Sequence, residues 1–176
     1  KTGKPYPVLY LLMGYGGNYS SLLKFLPDLK RLSDLYNMIL VCPDCGFSSW
    51  YFDSPIDSTV KYETHITKEL VKFIDNSFNT IQNRNGRAIS GGSMGGHGAL
   101  YLSFRHQDIF GAAGSISGGV DFRPFPLKWD IAKNLGEMAK YPENWDKNTV
   151  TNLLYLVGNN NLAIIIDCGT DDFLYP

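Results

Sequence analysis

The sequence predicts an α/β layer sandwich on a mostly parallel sheet, and three observations carry that prediction. Short, nearly continuous apolar runs alternate with segments of helical spacing. Turns rich in glycine or proline follow the apolar runs, as they do where a strand gives way to a helix. The chain has 176 residues, 44% of them hydrophobic and 14% aromatic, enough for one core but not for two domains.

The elements follow in order. Residues 7–13 (PVLYLLM) read as a strand buried on both faces. They run into Gly14-Tyr15-Gly16-Gly17, a turn whose glycines reach backbone angles closed to other residues. Leu22, Leu23 and Leu26 suggest one helical turn, and Asp28 is placed to cap a second helix through Leu29, Leu32 and Leu35. Residues 38–42 (MILVC) form the next strand, stopped by Pro43. A loop at 44–60 carries Trp50, Tyr51 and Phe52, and apolar spacing then predicts an amphipathic helix over 61–78. Residues 87–90 are a third strand and 110–115 a fourth, with a helix through His97, Leu100, Tyr101 and Phe104 between them. Residues 117–161 read as irregular, with helices near 128–135 and 149–157, before a fifth strand at 162–167. Strands joined through helices imply right-handed parallel crossovers.

Composition excludes several functions. Sixteen basic against 17 acidic residues leave a net charge of −1, no electrostatic footprint for nucleic acid or an anionic membrane. No apolar run approaches the length of a membrane helix. Cys42 and Cys45 have CxxC spacing but lead into a loop rather than a helix, and no second Cys/His pair completes a zinc site. No metal or cofactor is implied. The first residue is Lys1, so a leader peptide outside the sequence would decide between a cytoplasmic and a periplasmic or secreted location. Homo-oligomerisation is left open.

The chemistry concentrates at Gly91-Gly92-Ser93-Met94-Gly95, a GxSxG elbow between a strand and a helix. Such a turn is tight enough that side chains two positions either side of the serine would collide, and glycines remove the collision. The hydroxyl then stands at a helix N-terminus, whose free N–H groups and dipole suit a developing oxyanion. The 14–17 turn is placed to supply a second donor. Asp167, Asp171 and Asp172 around the end of the fifth strand are candidates for the acid of a triad. Trp50 and Tyr51 follow another strand end, either lining the same rim against substrate or filling a gap between loops.

These segments resemble the esterase family of α/β-hydrolases that includes S-formylglutathione hydrolases, feruloyl esterases, tributyrin esterases and mycolyltransferases. The likeness runs through YPVLYLL at 6–12, GYGGN at 14–18, SWY at 49–51, GSMGGHGAL at 92–100 and DCGTDDF at 167–173. It implies a three-layer α/β-hydrolase sandwich, with Ser93 as nucleophile, the N–H groups of Tyr15 and Met94 as oxyanion hole, and Asp172 as acid. Trp50 and Tyr51 would touch the substrate. Two departures stand out: Met13 replaces the family's usual His before the oxyanion loop, and Gly92 stands where a larger residue is common.

The mechanism needs an imidazole, and none of the three histidines suits it. His97 lies one turn beyond Ser93, His65 is mid-helix, and His106 ends the nucleophile helix. In the family the base follows the acid. The expectation is therefore a single partial domain over 1–176, lacking its first strands and its last strand, helix and His loop, with 117–161 as a lid and pocket insertion. The implied function is hydrolysis of short-acyl or hydroxycinnamoyl esters, the partner being a small ester or an acylated carbohydrate. Acyl transfer to a sugar hydroxyl, and carbohydrate binding without turnover, are the alternatives.

Overall fold

Each apolar run becomes a strand, and the computed structural model, which describes residues 3–158 and 162–173, assembles them into one parallel sheet. In chain order the elements are β1 (Val8–Leu12), α1 (Ser21–Phe25), α2 (Leu29–Tyr36) and β2 (Ile39–Val41). Then come α3 (Tyr62–Thr64), a π-helical stretch (His65–Leu70) and α4 (Val71–Ser77). A 3₁₀ turn (Arg84–Gly86) leads into β3 (Arg87–Gly92), α5 (Met94–Arg105) and β4 (Ala112–Ile116). Last are α6 (Ile131–Leu135), α7 (Pro142–Asn148), a 3₁₀ helix (Val150–Val157) and β5 (Ala163–Asp167). The strand order is β2-β1-β3-β4-β5, and every pairing is parallel.

Register explains where the core sits. Tyr10 pairs with Ile89 and Ile89 with Ala113, so alternate residues of three strands share one face. That face is buried, with Val8, Tyr10, Leu12, Ile89 and Ala113 all nearly inaccessible. It packs under α5, whose residues from Met94 to Phe104 are all buried. Three glycines inside α5 cost helix propensity, about 1 kcal/mol each, but let the helix approach its neighbours: a Cβ at Gly98 would collide with the Tyr51 ring. The core pattern stops at β5, whose five residues are all exposed.

The structure departs from the sequence reading at four places. The helix expected over 61–78 is π-wound in its middle, where the Thr67 hydroxyl donates to the Glu63 carbonyl at 2.7 Å and takes an acceptor of the α-helical ladder. Asp28 precedes α2 but its side chain caps nothing; it accepts from Arg31 Nη2 at 3.0 Å instead. The helix read near 149–157 is a 3₁₀ helix over Val150–Val157, Thr149 before it being extended. Within the segment read as irregular, α7 begins at Pro142, a first-turn position where the missing N–H costs nothing.

Candidate active site

Ser93 sits between β3 and α5 with φ 55° and ψ −121°, a conformation unfavourable for any L-residue with a side chain. Local contacts enforce it. A Cβ on Gly91 would lie 2.6 Å from the Leu12 and Gly95 carbonyl oxygens, and one on Gly95 would collide with Leu12. Glycine at both positions lets β1, the elbow and the first turn of α5 close onto one another. The Ser93 N–H donates to the Ile116 carbonyl at 2.9 Å, and its own carbonyl accepts from His97 N at 3.0 Å, starting the helix. The side chain is exposed, above the C-terminal ends of the strands.

The 14–17 loop lies beside it. A Cβ on Gly14 would be 3.4 Å from Ser93 Cβ. Gly16 N donates to Phe47 O at 2.8 Å, Cys45 Sγ to Gly17 O at 3.1 Å, and Tyr51 OH to Met13 O at 2.8 Å. Among the described residues, the N–H groups of Tyr15 and Met94 have no hydrogen-bond acceptor. Both adjoin Ser93, one along the chain and one across the sheet end.

Asp172 lies in the exit loop of β5, in a turn closed by its N–H donating to Gly169 O at 3.0 Å. The register aligns Gly92, Ile116 and Asp167 in one row, so this loop leaves the sheet two strands from the nucleophile strand. At the spacing of adjacent strands that is roughly 10 Å, room for an intervening imidazole.

Trp50 and Tyr51 require a correction. Trp50 is 3% exposed and Tyr51 0%, so neither offers a ring to a ligand here. Both have left-handed backbones, φ 52° and 63°, which turn the rings inward. Trp50 packs edge-on against His97 and Phe122, and Tyr51 lies on Gly98 while bonding the end of β1. Burial pushes the Tyr51 phenol well up, keeping it a neutral donor. Other aromatic pairs lie on the loops that follow the strands: Tyr15 against Phe47, and Trp129 against Phe173. Phe47 and Phe173 are largely exposed. Their positions just past β2 and β5 were the available signal, because loops after parallel strands share one rim. Trp129 carried no such signal: the sequence reads a helix near 128–135 there, whereas the structure starts it at Ile131.

None of the histidines can serve Ser93. His97 is sealed among Trp50, Phe52, Tyr101 and Phe122, with Nδ1 3.2 Å from the Gly119 carbonyl. Burial drives its imidazole down to about 3, the Gly119 bond opposing. His65 pairs with Glu69 at 2.9 Å. His106, at the far end of α5, bonds Glu63 at 2.7 Å beside Arg105 and Tyr101. Burial raises the Glu63 carboxyl, but these hydrogen bonds overcome it and hold it down to about 2. Cys42 and Cys45 are free, and burial pushes both thiols up, the reverse of a reactive pair.

Known proteins share the fold and much of the sequence. Esterase Rv1288 of Mycobacterium tuberculosis (strain ATCC 25618 / H37Rv) is 37% identical over 128 residues, 69% of this chain and 27% of that protein. The chain thus spans about a quarter of that relative's length. A solved ferulic acid esterase superimposes with a TM-score of 0.77 at 29% identity, covering 99% of this chain and 70% of its own. The substrate-bound structure of FphF, a fluorophosphonate-binding serine hydrolase of Staphylococcus aureus, matches with a TM-score of 0.81 at 22% identity. That match covers 99% of this chain and 69% of FphF, and shows a common fold. Residues 1–175 match the family described as "Putative esterase", and the chain belongs to that family.

Proposed function

We propose that the protein is a serine carboxylesterase with Ser93 as nucleophile, and the observation that carries this is the Ser93 elbow itself. A left-handed serine, exposed at the N-terminus of a buried twelve-residue helix and flanked by two sterically required glycines, has no evident structural use. Ser93 Oγ attacks the ester carbonyl carbon while its proton passes to a base. The carbonyl oxygen becomes an oxyanion, held by the N–H groups of Tyr15 and Met94. Collapse expels the alcohol, which takes the proton from the base, and leaves an acyl-Ser93 that water cleaves by the reverse sequence. Asp172 orients the base. His65, His97 and His106 are all committed elsewhere, so this reading needs a base other than these three.

The exposed rings of Tyr15, Phe47 and Phe173 favour an aromatic acyl group such as feruloyl, the substrate class named for one structural neighbour. Trp129, packed on Phe173, would make residues 117–158 part of the wall of that pocket. The test is fluorophosphonate labelling of the full-length protein carrying this sequence, with Ser93→Ala as control, followed by hydrolysis of methyl ferulate and p-nitrophenyl acetate. Labelling that requires Ser93, with methyl ferulate preferred, is the expected result. No Ser93-dependent labelling would leave a binding protein. Faster product formation with an added sugar acceptor would make it a transferase.

A further inference from the structure

An oxyanion donor must be held within about 0.5 Å of its productive position, yet Tyr15 lies in a loop with glycines at 14, 16 and 17. The loop after β2 restrains it from one side, through Phe47 O and Cys45 Sγ. On the other side, the Tyr15 phenol donates to Asp130 Oδ2 at 3.2 Å, across 115 residues of sequence. Among the described residues, Asp130 is the only hydrogen-bond partner of that phenol.

Asp130 is held in an unusual way. It and Trp129 are consecutive non-glycine residues with left-handed backbones, φ 55° and 54°. Such residues cost on the order of 1–3 kcal/mol each and persist only where surroundings over-determine them. Here the surroundings are visible. Trp50 Nε1 donates to the Trp129 carbonyl at 2.9 Å, and the Trp129 ring packs on Phe125, centroids 5.2 Å apart. The same ring reaches Phe173, centroids 5.9 Å apart, the residue directly after Asp172. One strained dipeptide therefore touches the loop of the oxyanion donor with its carboxylate and the loop of the acid with its indole.

Resting on the assignment of Ser93 and Tyr15 above, we infer that Asp130 is a positioning residue for the oxyanion loop, and that Trp129-Asp130 is a clamp tying that loop to the Asp172 loop. Asp130 touches neither reacting atom; it acts through the Tyr15 ring. Through these two residues the 117–158 segment contributes to rate as well as to the pocket wall. Buried Trp50 gains a role here too, as the donor that fixes the Trp129 carbonyl.

The experiment compares Asp130→Ala, Asp130→Asn, Tyr15→Phe and the Asp130→Ala/Tyr15→Phe double variant in the full-length protein. Steady-state hydrolysis of p-nitrophenyl acetate and the rate of fluorophosphonate labelling are measured for each. Asp130→Ala and Tyr15→Phe should each lower kcat and the labelling rate roughly tenfold, with KM changed by less than about twofold. Asp130→Asn keeps an acceptor oxygen and should retain most of the rate. The double variant should be no slower than either single one, because both remove the same bond. Asp130 is exposed, so Asp130→Asn, which tolerates the left-handed backbone, should melt like wild type, and Asp130→Ala only a few degrees lower. Wild-type rates in Asp130→Ala, an Asp130→Asn loss as large as that of Ala, or multiplying losses in the double variant would each overturn the clamp. If wild-type protein labels through Ser93 and the variants label equally fast, only the clamp falls; if wild-type protein does not label, the esterase reading falls and the clamp with it.

Discussion

At the scale of single residues, the elbow makes opposite demands on neighbouring glycines. A Cβ at Gly95 would enter the Leu12 carbonyl, whereas one at Gly92 would meet nothing nearer than the Ile116 carbonyl at 3.7 Å, ordinary contact. Gly92 also has no left-handed φ to protect. Gly95→Ala should therefore abolish soluble expression or cost several kcal/mol, about 3. Gly92→Ala should leave both melting temperature and labelling rate near wild type, since its missing side chain leaves usable room. Parallel thermal melts and labelling of the two variants check this, and equal damage from both would refute the steric account of the motif.

At the scale of elements, α5 couples the elbow to two ionisable groups, buried His97 and half-buried Glu63. His97 stays neutral in its aromatic cage, its ordinary value near 6.5 pushed down to about 3 by burial. Between those limits the unfolded chain binds a proton that the folded chain refuses, so stability falls as pH drops from 6.5. The Glu63 carboxylate adds to the same trend lower down, losing its contribution as pH falls from about 4.5 to about 2. Urea unfolding should therefore lose about 2 kcal/mol between pH 6.5 and 5, nearly all of it through His97. His97→Gln should be less stable at pH 7 but show a flatter decline across that window. An unchanged slope would mean that His97 takes up its proton without unfolding. Much of this was legible in outline: the sequence excluded His97 as the base from its spacing, but the cage that explains the exclusion comes from Trp50, Phe52 and Phe122, far away in sequence.

At the scale of the molecule, the sheet formed by the described residues ends at β5, where Ile164, Ile165 and Ile166 are exposed on both faces of a strand that, among those residues, pairs only with β4. An apolar strand edge with unpaired backbone groups is a template for another strand. The 176-residue chain expressed by itself should self-associate, and an Ile165→Lys/Ile166→Glu variant should shift it toward monomer in light scattering. Equal association in both would place the contact elsewhere, for instance on Leu127 or Tyr155, also exposed.

What the sequence determined by itself was local. Strand runs, the parallel α/β class and the GxSxG elbow are written in contiguous residues, because hydrophobic period and turn sterics act over a few positions. The register that puts Gly92, Ile116 and Asp167 in one row, the burial of Trp50 and Tyr51, and the meeting of Tyr15 with Asp130 were decided only in three dimensions. Trp50 shows the reason. An aromatic residue in a polar loop after a strand can face solvent or core equally well by local rules. Its left-handed backbone and the indole bond to the Trp129 carbonyl, 79 residues on, settled the matter.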